Sequence, residues 1–227
     1  MIPVHSMIPV DSMIIEPPAL LNLLAWLSPA FPTGAYAYSH GLEWAVEAGD
    51  VRDGASLEAW LTAVLDQGSA RGDAILLRAA HREGENPARL AELAELAAAL
   101  APASERRAET LAQGAAFAAA AAPWGGSAPV ALPVSLGMLA ARHGIPEDAA
   151  TLAYLQAFIA NLISAAVRLV PLGQSTGQAV LAALGPAILA TAGATESAGL
   201  ADLGSSCLRA DIAAMRHETQ YTRLFRS

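Results

Sequence analysis

Residues 86–122 read NPARLAELAELAAALAPASERRAETLAQGAAFAAAAA, and this stretch decides the fold class. Asn86 before Pro87 is a helix start: the amide side chain accepts an orphan first-turn N–H, and proline at the first helical position gives up an N–H with no intrahelical partner. The helix it opens must end before Pro102, since the residue preceding a proline is pushed out of the α region. Ser104 is then placed to cap a second helix, running up to Pro123-Trp124-Gly125-Gly126.

The same punctuation continues on both sides. Pro17 and Pro18 open a helix through Leu20, Leu21, Leu23, Leu24 and Leu27 that stops at Ser28-Pro29. A segment from Pro133 to His143 ends on Gly144, the residue type favoured just past a helix C-terminus. Pro146 opens the longest helix, reaching Val170 before Pro171. Alanine, the best intrinsic helix former, supplies about a quarter of the chain. No run of alternating β-branched and polar residues is bounded by turns, and aromatics are only 5%, so strand signals are missing. The expectation is an all-α domain of about nine or ten helices, orthogonal or bundle-like, with no sheet. The Pro123–Pro133 stretch is the one linker candidate and reads as a packed turn, leaving a single domain over 14–227. Residues 1–13 repeat a unit, MIPVHS then MIPVDS, and read as a disordered tail in which Met1, Met7 or Met13 could be the true start.

Composition excludes several classes. With 54% hydrophobic and 15% charged residues, the chain buries a core and is not a disordered tail. Its 13 basic residues, all arginine, against 21 acidic ones give a net charge of −8, the wrong sign for a nucleic-acid binder. A chain without lysine cannot carry a Walker A loop, a pyridoxal Schiff base or a lysine nucleophile. The single Cys207 forms no internal disulfide and no Cys-x-x-Cys pair, which fits a reducing compartment. The start lacks the basic region of a secretory signal, so a cytoplasmic protein is expected. Ala149–Val167 has membrane-spanning length, but Gln156, Asn161 and Ser164 within it favour a buried bundle helix and no membrane partner.

Local catalytic motifs fail one by one. His217-Glu218 begins a zinc-protease helix, but the second histidine that such a site needs four residues on is Tyr221. The five histidines show no pair at helical spacing, and most read as surface or partner-facing. No Gly-x-Ser-x-Gly frames a nucleophile, and Cys207 has no nearby histidine. Glu43 and Glu47, four residues apart, read as a solvated helix face. Gly173–Gly177 lacks the lysine of a phosphate loop and follows a helix instead of a strand; Gln174, Gly177 and Gln178 read as a motif that opens a helix and shapes the domain.

What stands out is the concentration of aromatic, histidine and arginine residues at the two ends. Residues 28–47 read SPAFPTGAYAYSHGLEWAVE and residues 215–227 read MRHETQYTRLFRS. Tyr, Trp and Arg combine apolar area with hydrogen-bonding tips and anchor interfaces. Tyr36, Tyr38 and Trp44 could equally fill the core, as the helical register of Trp44 with Leu42 favours. The tail over about 216–227, with three arginines, one acid and two aromatics, is read as either a frayed terminus or a segment that orders on a partner.

Three segments in order, LSPAFPTGAYAYSHGLEWAVEAGDV (27–51), AFIANLISAAVRLVPLGQSTGQ (157–178) and ADIAAMRHETQYTRLFRS (210–227), resemble the urease accessory protein UreF family. The stretch 84–130 is only loosely family-like. The resemblance implies an all-α protein with no catalytic activity of its own and a homodimer. It implies an adaptor that bridges UreD (also called UreH) and the GTPase UreG, so that GTP hydrolysis is coupled to nickel delivery into apo-urease. Nickel and GTP would be handled by the partners, and this chain would hold no cofactor or metal itself. Tyr36 and Arg223 match family positions that dock partners and order the tail; the partner-binding set expected with them is Tyr38, Ser39, His40, Arg216, His217, Glu218 and Tyr221. Two other readings stay open: a regulator that supplies an arginine to UreG, since an arginine finger needs one exposed guanidinium, and a helical metal-dependent hydrolase whose ligands assemble through the fold from His40, His143, His217 and acidic neighbours.

Overall fold

The computed structural model describes residues 14–84 and 86–227, and every regular element among them is helical. The expected tail 1–13 and the choice of start lie outside the described residues. Eleven α-helices follow one another: α1 (Pro17–Trp26), α2 (Leu42–Glu47), α3 (Gly54–Gln67), α4 (Ser69–Glu83), α5 (Pro87–Ala99), α6 (Ser104–Ala120), α7 (Leu132–Arg142), α8 (Glu147–Leu169), α9 (Gly173–Ala183), α10 (Gly185–Ala194) and α11 (Leu208–His217). The all-α expectation therefore holds. The count slightly exceeds nine or ten because short helices such as α2 carry no proline or cap signal of their own.

Local chemistry explains most boundaries. Asp53 accepts from the Ser56 N–H at 2.8 Å while Ser56 Oγ accepts from the Asp53 N–H at 3.0 Å, a reciprocal cap that starts α3. Asn86 caps α5 through the Arg89 N–H, with Pro87 in the first turn, as the sequence predicts. Ser104 does not cap α6. It is the first helical residue, and the cap comes from a distant segment described below.

Helix α4 lies at the centre, packed on α3, α5, α7 and α8. Its crossing with α7 is close enough that a Cβ on Gly137 would come within 2.3 Å of the Leu77 carbonyl oxygen, so only glycine fits there. One core joins α1, α3, α4, α6, α7 and α8 through Trp26, Leu57, Leu61, Leu77, Phe117, Leu139 and Leu155, and a smaller one holds α5 against α4 and α7 through Leu76, Leu93 and Val134. Arg78, 1% exposed, ties the centre together: it bonds Glu147 at 2.6 Å, Asp148 at 2.7 Å, the Ala192 carbonyl at 2.9 Å and the Thr195 hydroxyl at 3.3 Å. Stripping one partner from a buried pair of this kind costs about 3–5 kcal/mol.

Two stretches, Glu147–Leu169 and Gly173–Ala194, are long and apolar enough to cross a membrane. Half of the first is buried in the domain, with Tyr154, Leu155, Ile159 and Leu162 in its core, which is the behaviour of a core helix. Gly177 sits against Val167 and Ile163, seating α9 on α8. The Pro123–Pro133 stretch is a packed turn: Ala131 is buried, and Ser127 and Ser135 bond each other at 2.8 Å.

Candidate interaction surface

The two ends singled out by sequence meet. In the first, the chain leaves α1, passes a short turn at Ala35–Ala37, and reverses through His40 and Gly41, both at positive φ (57° and 76°). His40 is the one non-glycine residue in that conformation among the described residues, a cost of about 1–2 kcal/mol that the surroundings must hold. They do so from both sides. The His40 Nε2 lies 2.6 Å from Glu109 on α6, and its ring meets Phe158 edge-on at 4.8 Å. A Cβ on Gly41 would fall 2.5 Å from the Ala214 backbone nitrogen, so the entrance to α2 presses directly on α11.

From α11 the chain turns back and lies along this segment. The Arg226 N–H donates to the Ala37 carbonyl at 2.9 Å, and the Ser39 N–H and hydroxyl donate to the Ser227 carbonyl at 2.8 and 2.5 Å. Glu43 of α2 accepts from the backbone N–H groups of Leu224 at 2.6 Å and Phe225 at 2.9 Å. Phe225 enters the core at 5% exposure, with the Arg168 guanidinium 4.4 Å over its ring. Arg168 also donates to the Tyr36 carbonyl at 2.8 Å, and Asn161 to the Ala35 carbonyl at 3.1 Å, so α8 holds both strands of chain at once.

Carboxylates from α2 and α6 do the rest of the fastening. His217, fully buried, sits with Nδ1 2.6 Å from Glu105 and Nε2 3.2 Å from Glu43. Glu105 also takes Arg223 at 2.5 Å. Glu218 accepts from the Ser104 N–H at 2.6 Å, the Ser104 hydroxyl at 2.7 Å and the Glu105 N–H at 3.3 Å, so this tail carboxylate caps α6 and complements its dipole. Those bonds, the Ser104 hydroxyl first, lower the Glu218 pKa. Glu109 is shared among Arg106, His40, Gln113 at 2.9 Å and the Ser227 hydroxyl at 2.5 Å. Burial alone would push its pKa up, but Arg106, His40 and Ser227 hold it down to about 2. Burial, with Arg106 nearby, lowers the His40 pKa in turn.

The nine residues expected from the sequence are thus brought together, in two layers. Ser39, His217 and Tyr38 are buried and His40 nearly so; they lock the two segments from beneath. Tyr36 at 72% and Tyr221 at 103% exposure point outward, with Arg216 and Arg223 also exposed and Glu218 half-buried. Three expectations are corrected. The tail is neither frayed nor waiting for a partner to order it, because three carboxylates of its own domain bind it. His217 is not a surface group, and Glu43 does not lie on a solvated face; each is buried by the other. Trp44 is half-buried against the core, with Arg209 5.2 Å over its ring. Glu105, Glu109 and Arg168 carry no local signal that marks them. A Glu-Arg-Arg-Ala-Glu run looks like any solvated first turn, and only the three-dimensional return of the tail buries it.

The hydrolase reading loses its site. Among the described residues no three His, Cys, Asp or Glu side chains come together to hold a metal ion. His143 instead bonds the Trp124 carbonyl at 2.8 Å and packs on Trp26, apart from the partners of His40 and His217.

The chain is similar to known proteins over most of its length. A family model described as UreF matches residues 51–185. The urease accessory protein UreF of Bradyrhizobium sp. (strain BTAi1 / ATCC BAA-1182) is 51% identical over 225 residues, covering 94% of each chain. That of Cereibacter sphaeroides (strain ATCC 17029 / ATH 2.4.9) is 56% identical over 211 residues, 92% of this chain and 99% of the relative. That of Rhodopseudomonas palustris (strain HaA2) is 50% identical over 222 residues, 92% and 94% respectively.

Proposed function

The chain belongs to the UreF family of urease accessory proteins, and from that premise we propose that it is a non-catalytic, cytoplasmic adaptor. It bridges UreD (UreH) and the GTPase UreG in the assembly that inserts nickel into apo-urease, leaving nickel and GTP to those partners. The observation that carries this reading is the layered end of the molecule. Buried carboxylates fix the first and last segments to each other, and these two segments present Tyr36 and, from the tail, Tyr221, Arg223 and Leu224 (66% exposed) to solvent. Large aromatic and aliphatic groups next to a guanidinium, on rigid backing, are the make-up of an interface anchor.

A second apolar face supports the homodimer. Helix α1 exposes Leu20, Leu21 and Leu24 at 41, 68 and 61%, and leucines on one short helix suit self-association. Arg216 and Arg226 favour a second reading, regulation of UreG by a donated arginine: both side chains are exposed and make no hydrogen bond or ion pair among the described residues.

The test is size-exclusion chromatography with light scattering of this chain with UreD and GTP-loaded UreG. Wild type forms the three-component assembly, while Arg223→Ala and removal of residues 216–227 lose it. If Arg216→Ala and Arg226→Ala assemble normally but slow GTP hydrolysis, the regulatory reading takes precedence. Failure of wild type to bind either protein contradicts the adaptor reading.

A further inference from the structure

A cavity of about 840 Å³ opens between α1, the 28–36 loop, α6 and α8. Its lining is unusual for this chain. Half of all the Trp, Tyr and Phe residues line it: Trp26, Phe31, Phe117, Tyr154 and Phe158, together with Tyr36, whose side chain is mostly exposed. Its size and its mostly apolar wall are those of a small-molecule site, where a few polar groups fix the orientation of an apolar body.

The polar groups here are unequally satisfied. Glu109 is saturated by Arg106, His40, Gln113 and Ser227, so the Arg106 charge is already matched. Asp73 is different: its hydrogen bond among the described residues comes from a neutral group, the Tyr154 hydroxyl at 2.7 Å. Burial of that carboxyl raises its pKa to about 6 against the pull of Tyr154 and Arg106, with Glu109 adding to the rise. One further acceptor on the same lining, His40 Nδ1, is buried and has no hydrogen-bond partner among the described residues. An incompletely paired carboxylate beside aromatic faces is what an organic cation complements, because ring faces attract positive charge and the carboxylate supplies the counter-charge. A coordinated metal ion is not the match, since no three ligating side chains converge among the described residues.

We propose that this cavity binds a small organic cation of the alkylammonium class, with its charge beside Asp73 and its carbon chain along the aromatic wall. His40 Nδ1 is then available to accept from the ammonium. The proposal is independent of the adaptor reading, because none of its groups is exposed on the loop that carries that reading apart from Tyr36.

The probe is n-butylammonium, titrated calorimetrically into the full chain at pH 7.5, with n-butanol and butyrate as the neutral and anionic counterparts of the same length. The expected result is saturable binding of the ammonium with one site per chain, and neither counterpart binding comparably. Asp73→Asn keeps a partner for the Tyr154 hydroxyl and weakens ammonium binding by about tenfold or more. Phe158→Leu keeps the apolar volume but removes a π face and weakens it by about threefold. Thermal melts of both variants confirm that they are folded. The proposal is overturned if n-butanol binds as well as the ammonium, if Asp73→Asn binds undiminished, or if no saturation is reached by about 10 mM.

Discussion

Two buried polar clusters hold this molecule together, and they are built for different ends. The Arg78 cluster joins α4, α8 and α10 inside the domain. Its guanidinium lies between Glu147 and Asp148 and donates to the Ala192 carbonyl, all within the domain. The Glu43–Glu105–Glu109–His217 cluster joins segments more than a hundred residues apart and supports an exposed loop carrying Tyr221, Arg223 and Leu224. On the adaptor reading proposed above, similar chemistry serves stability in one place and presentation in the other. Perturbing the first should cost fold without changing partner choice. Perturbing the second should cost partners out of proportion to stability.

The largest effect separates them from the Arg78 side. Arg78→Ala strands Asp148, leaves Glu147 to Arg82 alone, and is expected to destabilise by about 3–5 kcal/mol, lowering the melting temperature by roughly 10 °C for a domain of this size. Below its melting point the variant should still form the UreD–UreG assembly. Loss of assembly by a folded Arg78→Ala would erase the distinction.

Glu43→Ala comes next. It removes the acceptor of two tail N–H groups and of His217 Nε2, and unmade buried hydrogen bonds cost about 1–3 kcal/mol each before relaxation. The tail can relax into water, so the expected signature is local. Amide exchange over residues 221–227 should accelerate to near that of an unstructured chain, the melting temperature should fall by only a few degrees, and partner binding should drop. Protection of the tail equal to wild type would contradict the clamp.

Asp73→Asn sharpens the comparison by pH. The folded pKa of about 6 lies above the unattached value of 3.8, so the ionised carboxyl is disfavoured by folding. Its penalty grows from about pH 4, is complete above pH 6, and reaches up to about 3 kcal/mol. The asparagine variant should thus be more stable than wild type at pH 7.5 and equal to it near pH 4. A constant difference across that range would remove Asp73 as the titrating group. The smallest stability effect is expected for Arg223→Ala: its pair with Glu105 is 39% exposed on the arginine side, and such pairs are worth about 0–1 kcal/mol, yet assembly should be lost.

Much of this architecture was legible because its signals are local. Pro17, the Asn86-Pro87 pair, Pro133 with Gly144, and Pro146 with Pro171 mark helix boundaries by chemistry that acts within one turn, and α1, α5, α7 and α8 begin and end close to where those residues put them. The proposed interface was legible only in part. Aromatic and arginine content drew attention to both ends, but the buried status of Glu43 and His217 depends on partners 174 residues apart in sequence, and no periodicity encodes such a pairing. Ser104 shows the same limit in reverse. A serine before a helix is a reasonable cap on local grounds, whereas here a tail carboxylate reaches the orphan N–H groups first.

The most direct test of the presentation layer uses Tyr221, because a wholly exposed ring can be truncated without touching the clamp below it. The affinity of UreD for this chain should be measured by calorimetry for wild type and Tyr221→Ala, with melting temperatures recorded for both. An unchanged melting temperature and a loss of about thirtyfold or more in affinity are expected, the mark of an anchor worth about 2 kcal/mol. Equal affinity for the two proteins would contradict that role.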